Sequence, residues 1–282
     1  MRFQKYHGAG NDFVMIEDLD GRMGPAGRLP SDFVASVCDR HTGVGADGVI
    51  RVLPGIGDAA FRMDYYNADG GEAEMCGNGI RCLVHLERRA GRIGDGEHRI
   101  ATKTRVVTVR TTGARRYTVD MGEPALRPQT VTLEGEAFSG TNVSMGNPHF
   151  VLFVPDLDDD LVCGLGPRLE VHPDFPDRTN VEFAVVEGAT KLRLRVWERG
   201  VGETLACGSG TCAAVVAAAT LERTGPHVLV DVPGGELEVE WDQPGHVWLT
   251  GEAEEVFTGE LDADWLASRG LAAHTQLIAE SA

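Results

Sequence analysis

Apolar and polar residues alternate with a period of two in Phe61-Arg-Met-Asp-Tyr-Tyr66, in Lys191-Leu-Arg-Leu-Arg-Val196 and, after a Pro233-Gly-Gly235 turn, in Glu236-Leu-Glu-Val-Glu-Trp241. Successive side chains of a strand point to opposite faces, so these segments predict half-buried strands in a largely antiparallel sheet. Helical spacing is clearest in Ser31 to His41, in Ile80 to Ala90 and in Thr211 to Thr224, the last closed by Gly225. The third is rich in Ala and Val nearly all round, which predicts a helix buried on every side.

The chain also repeats itself once. Shifted by the interval between Cys76 and Cys207, Tyr66-Asn67 falls on Trp197-Glu198, Gly71-Glu72 on Gly202-Glu203, and Cys76-Gly-Asn-Gly79 on Cys207-Gly-Ser-Gly210. With a slightly longer shift, Gly10-Asn-Asp-Phe13 resembles Gly146-Asn-Pro-His-Phe150, and Thr42-Gly-Val44 resembles Thr179-Asn-Val181. Three elements recurring in one order outweigh the coincidences expected among 36 glycines. The expected fold is α/β (α+β): two pseudo-symmetric lobes, each a curved, mainly antiparallel sheet around a central helix that opens with Cys-Gly-x-Gly. A first lobe over residues 1–122, with a returning strand near 253–262, a second over 123–252 and an extension over 263–282 are expected, with the site between the lobes.

With 282 residues and 42% hydrophobic positions the chain can bury a large core, which rules out a disulfide-stapled miniprotein. The formal net charge of −17 repels phosphate backbones and anionic headgroups, so neither nucleic acid nor a membrane is an expected partner. No apolar run reaches membrane-spanning length, and residues 1–16 carry no basic leader, so a cytoplasmic location is expected. In that compartment the six cysteines stay reduced, and a distinctive one reads as a reactive thiol rather than half of a bridge.

Two cysteines are distinctive. Cys76 and Cys207 each precede Gly-x-Gly and a helical segment, where backbone N–H groups and the helix dipole converge. Such a site binds anions, and a thiol there is expected to ionise below the ordinary value of about 8.5. Two related lobes would present two thiols and two helix N-termini to one small molecule. A proton α to a carboxylate leaves only when the charge developing on the carboxylate is stabilised, and preorganised N–H donors supply that without metal or cofactor. One thiolate and one thiol then make a two-base racemase. Cys38, Cys82, Cys163 and Cys212 match no chemical motif and are expected to be packing residues. A zinc site built from Cys76, Cys82, Cys207 and Cys212 lacks the short paired spacing of common structural sites.

His7-Gly-Ala-Gly-Asn-Asp-Phe13, Tyr66-Asn-Ala-Asp-Gly70, Met75-Cys-Gly-Asn-Gly79, Met145-Gly-Asn-Pro-His149, Glu198-Arg-Gly200 and Ala206-Cys-Gly-Ser-Gly210 together resemble the diaminopimelate epimerases, from Met1 to about Leu261. The resemblance implies interconversion of LL- and meso-2,6-diaminopimelate with no cofactor and no metal, a step toward lysine and peptidoglycan precursors, and a homodimer. It makes Cys76 and Cys207 the acid/base thiols and puts backbone groups of Gly77, Asn78, Gly208 and Ser209 on the reacting carboxylate. Asn11, Asn67, Asn147, Asn180 and Arg199 match substrate contacts. Glu198 can accept from the substrate ammonium, and Glu198 and His149 match groups that tune the thiols.

Ordinary readings stand beside these. An Asn after Gly is often a turn residue, His149 fits a satisfied core histidine, and Glu198-Arg199 fits a solvated pair. The carboxylate of Glu198 would also raise a nearby thiol's pKa, against the helix dipole. After Gly45-Ala-Asp47, where some family members carry a substrate-touching Gln, this chain has Gly48, which is expected to leave room for water. Other racemases of the same fold acting on proline, 4-hydroxyproline or histidine, a phenazine-type isomerase, and a thiol redox or binding protein are the competing functions.

Overall fold

A computed structural model describes residues 1–20 and 28–269. In chain order the first part runs β1 (Arg2–Gly8), β2 (Asn11–Glu17), α1 (Ser31–Cys38), β3 (Gly48–Pro54), β4 (Phe61–Asn67), β5 (Glu72–Ala73), α2 (Gly77–Arg89), β6 (Glu97–Ala101), β7 (Val106–Thr111) and β8 (Arg116–Gly122). Next come β9 (Ala125–Leu133), β10 (Glu136–Ser144), β11 (Pro148–Phe153), a π-helical turn (Asp160–Leu165), α3 (Gly166–Glu170), β12 (Asn180–Gly188), β13 (Lys191–Glu198) and β14 (Gly202–Thr204). The chain ends with α4 (Gly208–Thr220), β15 (His227–Val232), β16 (Gly235–Trp241), β17 (Val247–Glu252), β18 (Glu254–Glu260) and α5 (Ala263–Ser268).

These elements form two compact units. One holds Met1–Gly8, Asp12–Tyr117 and the chain from Glu252; the other holds Ala9–Asn11 and Thr118–Gly251. In the first, β2 pairs parallel with β3, β3 antiparallel with β4, β4 antiparallel with β5 and parallel with β6, and β6 antiparallel with β7. In the second, β11, β12, β13, β14, β15 and β16 repeat that sequence of pairings one for one. The internal repeat is therefore a repeat of topology. Each unit carries a 13-residue helix, α2 or α4, preceded directly by Cys76 or Cys207.

All three alternating segments are strands, and β4 and β13 bury alternate residues over most of their length. Alanine and valine line every side of α4, and Gly208 with Gly210–Ala218 is buried against β10, β11, β12, β13 and β16. Helix ends depart from the sequence expectation. Helix α1 stops at Cys38 rather than His41 because Asp39 Oδ1 accepts from the backbone N–H groups of His41 (2.9 Å) and Thr42 (2.6 Å), closing a turn that competes with the helix. Helix α4 stops at Thr220, ahead of Gly225: Glu222 adopts a left-handed φ of 56°, and Arg223 N–H reaches back to Ala218 O at 2.9 Å.

The expected extension begins with the short helix α5, capped by Asp262, whose Oδ1 accepts from Asp264 and Trp265 N–H. Leu266 joins the core of the first unit beside Phe33, Val37 and Leu261. The rest of the predicted extension, from 270 onward, lies outside the described residues. Among the described residues no helix is long and apolar enough to cross a membrane.

Candidate active site

Both Gly-rich turns place a cysteine as the residue capping a helix N-terminus. Cys76 has extended backbone (φ −140°, ψ 116°), its Sγ accepts from Gly79 N–H at 3.5 Å, and its carbonyl accepts from Ile80 N–H at 2.9 Å. A Cβ on Gly79 would lie 2.5 Å from Ile50 Cδ1, so the end of the Ile50 side chain packs against this turn. Gly77 and Asn78 are buried in the same turn, and the Asn78 side chain turns inward, its Oδ1 accepting from Arg81 Nη2 at 2.9 Å. Arg81 is itself fully buried and lies one turn further along α2. Asn67 ends β4, and the loop after it is closed by Gly70 N–H on Asn67 O at 2.9 Å. Asn11, half-buried, begins β2.

In the second unit Cys207 is 6% exposed and also extended (φ −111°, ψ 109°). Its carbonyl accepts from the backbone N–H and the hydroxyl of Thr211 at 2.9 and 2.8 Å, and its Sγ lies 3.6 Å from Ser209 Oγ. From Ser209 a chain of polar contacts runs inward. Asn147 Nδ2 donates to Ser209 Oγ at 3.3 Å, Asn147 Oδ1 faces His149 Nε2 at 3.0 Å, and His149 Nδ1 faces Glu182 Oε1 at 2.6 Å. Glu198, at the end of β13, accepts from the Thr204 hydroxyl.

Asn180 is buried, and both ends of its amide are engaged: Nδ2 donates to Pro148 O at 2.8 Å and Oδ1 accepts from Arg199 N–H at 3.0 Å. It therefore holds the turn from which the exposed Arg199 side chain extends, with Arg199 Nη1 on Asp177 O at 3.2 Å. Glu170, absent from the sequence reading, fastens the same turn through Gly200 N–H and Trp197 Nε1 at 2.8 and 2.9 Å.

The electrostatics at Cys207 run opposite to the expected acidification. Burial pushes its thiol well above the ordinary range, and the Glu198 and Glu182 carboxylates push it the same way, against the Gly210 N–H and the Ser209 hydroxyl. Burial likewise raises Glu198 and Glu182. A helix terminus carries only a fraction of an elementary charge, and burial together with the two neighbouring carboxylates outweighs it.

Three of the four remaining cysteines are packing residues: Cys38, Cys82 and Cys212 are buried. Cys163 is not. It sits on the solvent side of the π-helical turn, donating to Glu203 Oε2 at 3.5 Å, while Val162 and Leu165 take the core side. Nor does Gly48 leave room for water, since a Cβ there would lie 2.4 Å from Tyr66 O and 2.7 Å from Tyr65 Cε2.

The family model described as diaminopimelate epimerase matches residues 3–127 and 141–256. The chain belongs to the diaminopimelate epimerase family. Curated diaminopimelate epimerases similar to it include that of Synechococcus elongatus, 43% identical over 93% of this chain and 98% of its own, and that of Synechocystis sp., 42% identical over 93% and 99%. This family is one of isomerases, and its match covers both cysteine turns. More distant solved structures share the fold alone. A hydroxyproline epimerase from Agrobacterium vitis is 14% identical with a TM-score of 0.69, covering 93% of this chain and 90% of that one. A PhzF-family phenazine biosynthesis protein from Bacillus anthracis is 15% identical with a TM-score of 0.68, covering 93% and 99%.

Within this family member the sequence reading missed Glu182 and Arg81. Their signal is faint: each is a charged residue inside an otherwise apolar stretch, Glu182 among the buried residues Asn180–Val185 of β12 and Arg81 between Ile80 and Cys82 of α2.

Proposed function

We propose that this protein interconverts LL- and meso-2,6-diaminopimelate by a two-base reaction at one α-carbon, with Cys76 and Cys207 as the two acid/base groups. The observation that carries the reading is the twin helix-capping cysteine, one in each unit of a chain belonging to this family. The thiolate of one cysteine takes the α-proton and becomes a thiol; the other cysteine's thiol delivers its proton to the opposite face and becomes the thiolate. The electron pair left by the proton is delocalised into the adjacent carboxylate. Backbone N–H groups of Gly77, Asn78, Gly208 and Ser209, at two helix N-termini, stabilise that charge.

Cys207 begins as the thiol, because burial and Glu198 hold its proton, and Cys76 begins as the base; the reverse reaction exchanges the roles. Glu198 receives the substrate ammonium, Asn11, Asn67 and Asn147 hold the substrate's polar groups, and Arg199 pairs with the distal carboxylate, with Asn180 fixing the turn beneath it. A second carboxylate to be met by Arg199 is what favours diaminopimelate over proline or hydroxyproline. The reading extends to a cytoplasmic homodimer serving lysine and peptidoglycan precursor supply.

Proton NMR of the reduced protein with LL-diaminopimelate in D2O tests the reading. Loss of the α-proton signal with appearance of the meso isomer is the expected result. No exchange with diaminopimelate, but exchange with proline or hydroxyproline, would move the substrate; no exchange with any of them would overturn the function.

A further inference from the structure

Glu182 is buried completely on β12, and its Oε1 lies 2.6 Å from His149 Nδ1 on β11. It also lies directly under the first turn of α4: a Cβ on Gly210 would come within 2.7 Å of Glu182 Oε1 and 3.4 Å of Cys207 Sγ. Glycine at 210 thus brings a carboxyl group up against the turn that carries the thiol. The second oxygen, Oε2, is buried without a hydrogen bond among the described residues, so His149 is the side chain that Glu182 holds.

The polarity of the chain follows from its chemistry. Asn147 donates through Nδ2 to Ser209, so its Oδ1 is the acceptor facing His149, and His149 Nε2 must carry hydrogen. That is satisfied whichever of His149 Nδ1 and Glu182 Oε1 holds the proton between them. Ser209 Oγ, having accepted from Asn147, is left with its own O–H to point at Cys207 Sγ, 3.6 Å away. Each link is oriented toward the thiol.

We propose that Glu182 is a positioning residue for Cys207: by anchoring His149 Nδ1 it fixes the Nε2–H toward Asn147, and through Asn147 and Ser209 it supplies the thiolate with a hydroxyl donor. The assignment rests on the proposed function of Cys207. Among the described residues the titratable groups that face this thiol are Glu198 on β13 and Glu182 on β12, with His149 on β11 behind Glu182; the Gly210 N–H and the Ser209 hydroxyl on α4 face it as donors.

Removing a carboxylate changes charge as well as hydrogen bonding, so the informative comparison is between two uncharged replacements. Glu182→Gln keeps a group that can bond His149 Nδ1; Glu182→Met fills the same space without one. Iodoacetamide alkylation of Cys207, followed by peptide mapping between pH 7 and 9, reads the thiolate fraction. The Met variant is expected to react about tenfold more slowly than the Gln variant at equal pH. Its kcat for epimerisation is expected to be about tenfold lower, with KM changed less than about threefold. Superimposable alkylation profiles of the two variants would overturn the assignment.

Should Glu182→Met fail to fold, Ser209→Ala removes the last donor at a half-exposed position and must slow Cys207 alkylation by a similar factor; an unchanged rate also overturns the proposal. Alkylation needs no substrate. A protein inactive toward diaminopimelate would therefore sink the proposed function and leave this comparison standing.

Discussion

Cys76 and Cys207 occupy equivalent places in the two units, yet their surroundings differ in kind. Cys76 sits ahead of a turn whose buried neighbour is the cation Arg81; Cys207 sits among Glu182 and Glu198. Such asymmetry suits a reaction in which one sulfur starts as base and the other as acid. Cys76→Ala and Cys207→Ala are each expected to lower epimerase kcat by at least about a thousandfold, whereas Cys163→Ala, at an exposed thiol outside the site, leaves it unchanged. Retention of a tenth of the activity in either cysteine variant would refute the two-thiol mechanism. The two cysteines were legible in the sequence because Cys-Gly-x-Gly before a helix carries its own geometry. Glu182 was not, because its role depends on facing a helix turn contributed by a distant part of the chain.

At the scale of elements, strands and helices followed the periodicity of the sequence, and departures came where a side chain or a close contact intervened. Asp39 ends α1 and a left-handed Glu222 ends α4, both by local hydrogen bonds that no hydrophobic pattern records. Gly48 is the sharper case. Its register opposite Asn67, with Tyr65 and Tyr66 close by, leaves no space for a side chain. Gly48→Gln is accordingly expected to cost about 2–4 kcal/mol of stability by forcing β3 from β4. Urea denaturation measures it, and an unchanged midpoint would show that the backbone yields there at little cost.

Within the first unit, Asp12 on β2 joins Lys5 on β1 (2.5 Å) to Arg40 beyond α1 (2.8 Å), tying together three separated segments. Burial alone would raise the Asp12 carboxyl, but the hydrogen bonds from Arg40 and Lys5 prevail and hold it at about 2. A carboxyl lowered on folding stabilises the protein fully above its unfolded value, near 4, and loses that contribution as the pH falls through 2. Asp12→Asn is therefore expected to cost about 2 kcal/mol at pH 6 and little at pH 2, flattening the acid limb of the stability profile. Equal losses at both pH values would show that packing, not ionisation, is what Asp12 supplies.

By itself the sequence determined the repeated architecture, its main elements and the cysteine that opens each of the two glycine-rich turns, since periodicity, turn chemistry and a duplicated motif are local properties of the chain. It also carried the family, through several motifs in one order. Only the tertiary structure decided the upward push on the Cys207 thiol, the clamp that Asn180 makes under Arg199 and the buried partnership of His149 with Glu182. Those depend on which groups from distant segments share a dry space, and there burial and neighbouring charge outweigh what a residue's immediate sequence would favour.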